Sequence, residues 1–184
     1  GATMATYWGQ NVGARRLERL GQGIRSCSLL GLSYSLIALA AMLAFAPQCA
    51  MLFLDPREGE LALLVDLTSR YVVTLTAFFF PLALVNIVRF SIQGMGYSVF
   101  AILAGVLEMA ARTSVGMWLV PAFGYTAACF ASPTAWICAD LFLIPASMLC
   151  IARLKKRRRH QPGQSEEGWD SVPRPALAEP GADR

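Results

Sequence analysis

Two stretches free of Asp, Glu, Lys and Arg constrain this chain more than anything else in it. One lies between Arg25 and Asp55, the other between Arg112 and Asp140. Crossing a ~30 Å hydrocarbon core takes about 20 apolar residues in a helix, and both stretches are long enough. Two more, Arg70 to Arg89 and Arg89 to Glu108, are near that length and reach it if one charge is accepted inside the bilayer. Only 15 % of the residues are charged and mean hydropathy is +0.48, whereas soluble domains carry about a quarter charged residues. The fold class this implies is all-α, a polytopic membrane helix bundle.

Four full spans are expected at about 26–46, 71–93, 97–120 and 130–152, preceded by the end of a fifth helix over residues 1–8. Pro47 ends the first span in this reading, Pro81 kinks the second, and Pro121 with Gly124 stops the third. Residues 9–25, GQNVGARRLERLGQGIR, carry Leu17, Leu20 and Ile24 at helical spacing and read as an amphipathic connector on the membrane surface. Residues 47–70 form a mixed-charge loop with a short surface helix over 58–67, and GMGYS (94–98) is a tight turn. Residues 1–153 thus make one transmembrane unit, and 154–184 a basic and then disordered tail rich in Pro, Gly, Glu and Ala. The small residues Gly31, Gly105, Gly116 and Ala131 mark close helix packing.

Orientation follows from the basic residues. Arg15, Arg16, Arg19 and Arg25 lie in the connector, and Arg153, Lys155, Lys156, Arg157, Arg158 and Arg159 follow the last span. The 47–70 loop balances Arg57 and Arg70 against Asp55, Glu58, Glu60 and Asp66. Four spans place connector, tight turn and tail on one side, which the positive-inside rule makes cytoplasmic. The basic block therefore reads as a membrane-exit signal, and nucleic acid is not an expected partner; the lipid bilayer is. The cysteines at 27, 49, 129, 138 and 150 form no C-x-x-C, and the single histidine, His160, sits in the tail, so no metal site is expected.

The residues that could carry chemistry are the polar ones within the spans. Glu108 and Arg112, at i and i+4, occupy one face of span three. A lone charge at the bilayer centre costs roughly 2.5–3.5 kcal/mol, and pairing these two reduces that. Either they brace two helices together, or they line a polar cavity used by substrate or coupling ion. Asn86, Arg89 and Gln93 lie along one stripe of span two; Arg89 either snorkels to the interface or faces that cavity. Asp140, mid-span and four residues after Trp136, needs a partner from another helix, with Arg112 and Arg89 as candidates. No base stands near a nucleophile, so an enzyme is not expected.

Three ordered motifs resemble the multidrug and toxic compound extrusion (MATE) family of exporters. GQNVGARRLERLGQGI resembles its cytoplasmic loop motif. NIVRFSIQGMGYSVFAILAGVLEMAAR is similar to its tenth and eleventh spans, and GYTAACFASPTAWICAD to the entry of its twelfth. The likeness covers about residues 1–153. It implies most of the C-terminal lobe of a twelve-span transporter, from the end of span eight to span twelve, with the N-terminal lobe of the same chain as its missing partner. A start without Met at position 1 agrees with such a fragment. The resemblance further implies alternating access in the cell membrane, exporting small organic, often cationic compounds. Sodium ion or proton is the coupling ion, and no organic cofactor is needed. Gln10, Asn11, Gly13 and Ala14 match the loop motif, for which the implied role is conformational. Some sodium-coupled members carry an acidic residue in the tenth span, where this chain has Asn86 and Arg89 instead. A flippase for a lipid-linked precursor and a small non-transporting four-span subunit are the alternative functions.

Overall fold

The computed structural model describes residues 1–14, 16–54 and 60–160; the residues expected to form a disordered tail from 161 on, and Asp55, Arg57 and Glu58 of the loop, lie outside them. All regular structure among the described residues is helical: α1 (Ala2–Gly13), α2 (Glu18–Met51), α3 (Leu61–Ala77), α4 (Phe79–Gly94), α5 (Ser98–Ser114), a π turn (Val115–Leu119), α6 (Val120–Phe123) and α7 (Tyr125–His160). Residues Gly1–Ile151 form one compact unit. Three stretches, α2, Ser98–Phe123 and α7 to Lys156, are long and apolar enough to cross a membrane. Counted as one bent span, α3 and α4 make a fourth.

Several boundaries differ from the sequence reading, each for a local reason. The connector is not a separate surface segment: residues 9–13 finish α1, and α2 begins at Glu18 and runs unbroken into the first apolar run. Pro47 lies inside α2, which continues to Met51. A proline deletes only its own N–H, and the remaining bonds of the last turn are worth keeping where no water replaces them. The 47–70 loop shrinks accordingly, because α3 already starts at Leu61.

Span two is two helices meeting at a bend of 46°. Pro81 has no N–H for the Ala77 carbonyl and its ring crowds that carbonyl, so the chain breaks at Phe78 (φ −104°, ψ 18°). Span three also continues past its expected stop. The Val120 N–H donates to the Val115 carbonyl, five residues back, which widens the helix ahead of Pro121. Pro121 then sits in the first turn of α6, where its missing N–H is harmless, and Gly124 (φ 62°) ends the segment.

The α4–α5 turn closes around Gly96, whose φ of +84° suits a residue without Cβ. The Tyr97 N–H donates to Ile92 C=O at 3.2 Å and the Gly96 N–H to Gln93 C=O at 2.9 Å, satisfying two end carbonyls of α4. This short closure makes α4 and α5 antiparallel neighbours.

α4 is central, burying Val85, Ile87, Val88, Ser91 and Ile92 against α1, α2 and α5. Its last residue, Gly94, is the tightest contact: a Cβ there would lie 2.4 Å from the Ala5 carbonyl oxygen of α1. Trp8 of the same helix is fully buried. Of the glycines read as packing sites, Gly31 meets Ala83 of α4, where a Cβ would stand 3.2 Å from the Ala83 Cβ. Gly105 and Gly116 have nothing within 4 Å, so they mark no close packing among the described residues. Buried hydroxyls are satisfied inside their own helices: Ser35, Thr76 and Ser91 each donate to the carbonyl four residues back, at 2.7 Å. Meanwhile Leu30 and Ile37 of α2 and Ile102 and Met109 of α5 stand exposed, the arrangement expected where lipid rather than water is the outer solvent.

Candidate functional site

Arg89, Glu108 and Asp140 come from α4, α5 and α7, and the fold sets them in a cluster centred on Glu108. An Arg89 Nη donates to Glu108 Oε1 in an interhelical ion pair. Both side chains are mostly buried, at 22 % and 18 % exposure. Asp140 is 8 % exposed and lies within electrostatic reach of Glu108. Its Oδ1 is buried without a hydrogen-bond partner, as is Arg89 Nε. The cluster is therefore incompletely satisfied on both its acidic and its basic side.

This corrects the expected pairing of Glu108 with Arg112. Measured from Gly96, Arg89 sits seven residues before the turn and Glu108 twelve after it, a mismatch of about 7.5 Å in helical rise. Helical side chains lean toward their own N-terminus. In an antiparallel hairpin Arg89 leans away from the turn and Glu108 leans back toward it, which closes the gap. Arg89 thus reaches sideways to a buried carboxylate and does not snorkel. Arg112 is exposed and forms no ion pair among the described residues. It shares with Glu108 an open groove of about 360 Å³, lined also by Gly105, Met109 and Thr113 along one face of α5.

The polar stripe of α4 is less unified than its spacing suggests. Asn86 is half-buried and its Nδ2 donates to Leu82 C=O at 2.8 Å, within its own helix. Gln93 is exposed near the turn. Of the three, only Arg89 engages another helix through its side chain in a polar contact.

Gln10, Asn11, Gly13 and Ala14 stand on a different part of the fold. They close α1: the Ala14 N–H donates to Gln10 C=O and the Arg16 N–H to Asn11 C=O, both at 2.8 Å. Asn11 Nδ2 donates to Tyr7 C=O at 2.8 Å, while the Tyr7 hydroxyl donates to Arg19 C=O at 2.9 Å and ties α1 to α2. Gly13 has open space around it and no left-handed backbone, so nothing among the described residues demands a glycine there. The contact missed by sequence reasoning is Gly94 against Ala5, because GMGYS pointed only to a turn.

The sequence profile of the MatE family matches residues 1–118, which includes Arg89, Glu108 and Arg112 and stops before Asp140. No curated protein and no solved structure gives a significant match. With nearly two thirds of its residues matched, and helices long and apolar enough to cross a membrane several times, the chain is a multi-pass membrane protein that belongs to the MatE family of transporters.

Proposed function

We propose that this chain forms part of a secondary-active exporter that expels organic, often cationic compounds in exchange for inward sodium ions or protons. The observation that carries the reading is the double position of Glu108. It is ion-paired with Arg89 and also lines the α5 groove beside Met109 and Arg112. Ionisable residues within spans mark substrate or ion pathways by default. An organic cation in that groove meets a carboxylate and a thioether. Asp140 sets a second carboxylate near Glu108, so an entering cation or proton meets negative charge from two helices.

Alternating access requires an opposing wall, and the N-terminal lobe of the same polypeptide is the proposed source, closing over the exposed groove of α5. The basic connector and tail then lie in the cytoplasm of a cell whose plasma membrane holds the protein. Arg112, exposed and without an ion pair among the described residues, is the feature that favours the second reading, a flippase for an anionic lipid-linked precursor.

Dye efflux separates these readings. Glu108→Gln in the intact protein is expected to lower efflux of a cationic dye severalfold at unchanged membrane level. Unchanged efflux at equal expression would leave Glu108 as a structural brace. Translocation of a lipid-linked precursor without dye efflux would favour the flippase.

A further inference from the structure

A second groove lies between α3 and the start of α7, away from the charge cluster. It has a volume of about 320 Å³ and is lined by Arg70, Val73 and Thr74 of α3 and by Tyr125, Thr126 and Phe130 of α7, among others. Binding pockets for small ligands begin at about 300 Å³. Its composition is graded: Arg70 and the hydroxyls of Thr74, Tyr125 and Thr126 supply polar groups, and Val73 and Phe130 an apolar wall.

The lining of this groove suits a membrane surface. Arg70 closes the charged segment that precedes a charge-free run to Arg89, and Tyr125 heads α7 within the other charge-free run. Tyr71 and Tyr125 are both exposed, the placement of aromatic rings that sit at the headgroup level. The helices are tied together here, because the Tyr125 hydroxyl donates to Leu67 C=O at 2.7 Å, so the groove has a fixed wall on each side.

We propose that this groove holds one phospholipid with a phosphate and a primary ammonium in its headgroup, that is, phosphatidylethanolamine. The charge pattern selects it. Arg70 Nε bonds Asp66 Oδ2 at 2.9 Å, and Asp66 lies within electrostatic reach of Tyr125. The pair is well exposed. The outer nitrogens of the guanidinium are left for a phosphate oxygen, and Asp66 keeps its other oxygen for an ammonium. A purely anionic headgroup would meet the Asp66 charge, and a trimethylated one has no N–H to donate. The first part of an acyl chain then lies along Val73 and Phe130. Headgroup recognition by polar pockets between transmembrane helices follows the same physics.

The test uses the 184-residue chain, purified in detergent, stripped of lipid and titrated with phosphatidylethanolamine, phosphatidylcholine and phosphatidylglycerol under native mass spectrometry. Phosphatidylethanolamine is expected to be retained about fivefold better than the other two, the discrimination one exposed charge contact supplies. Arg70→Gln is expected to lower retention of both phosphatidylethanolamine and phosphatidylcholine. Asp66→Asn should abolish only the preference between them, and Val73→Trp, which fills the groove, should lower retention of all three. Equal retention of the three lipids, retention untouched by Arg70→Gln, or a preference for phosphatidylethanolamine over phosphatidylcholine untouched by Asp66→Asn overturns the proposal.

Discussion

Arg89 and Glu108, 19 residues apart and on antiparallel helices, form an ion pair across the α4–α5 hairpin. The pair joins the hairpin where both side chains are mostly buried, and Asp140 approaches Glu108 from a third helix. Glu108 therefore stands between a guanidinium on one helix and a carboxylate on another.

Removing one partner leaves the other charge buried and uncompensated. Arg89→Gln or Glu108→Gln alone is expected to destabilise the folded chain by about 1–3 kcal/mol, less than the 3–5 kcal/mol of a fully dry pair. The double variant should recover much of the loss. Unfolding in detergent followed by far-UV circular dichroism checks this; additive losses would mean the two residues are not coupled.

Close approach of α1 to α4 depends on Gly94. Gly94→Ala places a Cβ 2.4 Å from the Ala5 carbonyl oxygen and 3.0 Å from Trp8 Cβ, so α1 must shift. The expected result is a lower Tm and a red-shifted Trp8 emission, measured with the other tryptophans replaced by Phe. Gly105→Ala is the control: its Cβ meets nothing within 4 Å, and alanine favours the helix by about 1 kcal/mol.

At the hairpin turn, Gly96 holds φ +84° with open space around it. Gly96→Ala is expected to cost roughly 1 kcal/mol through backbone strain alone, and Gly96→Asn less, because asparagine tolerates that region. Thermal unfolding of both variants ranks them; equal Tm values would remove the strain argument.

The 46° bend between α3 and α4 is assigned to Pro81. Spin labels at the exposed positions Leu63 and Gln93 report the end-to-end distance of this bent span. Two arms of ~22 Å each give about 41 Å when bent and ~45 Å when straight, so Pro81→Ala should lengthen the distance by ~4 Å. No change in pulsed dipolar spectra would assign the bend to packing.

What the sequence determined by itself is local. Charge-free runs set which segments are buried in lipid, since a helix is the cheapest way to satisfy a backbone without water. Pro81 and Gly96 dictate a break and a turn through bonds they cannot make or conformations only they accept. Even the boundary differences are local, because Pro47 and Pro121 read as stops only when the turns that follow them are left out.

Tertiary structure alone decided which charges meet. From i,i+4 spacing Glu108 belonged with Arg112; the antiparallel hairpin and the lean of helical side chains gave it to Arg89 instead. The stripe of Asn86, Arg89 and Gln93 was legible as a face, but its division into an internal bond, an interhelical pair and an exposed amide was not. Neither the unpartnered Oδ1 of Asp140 nor the approach of Ala5 to Gly94 has any signature along the chain. Both depend on distances between helices far apart in sequence, and those distances exist only once the bundle has packed.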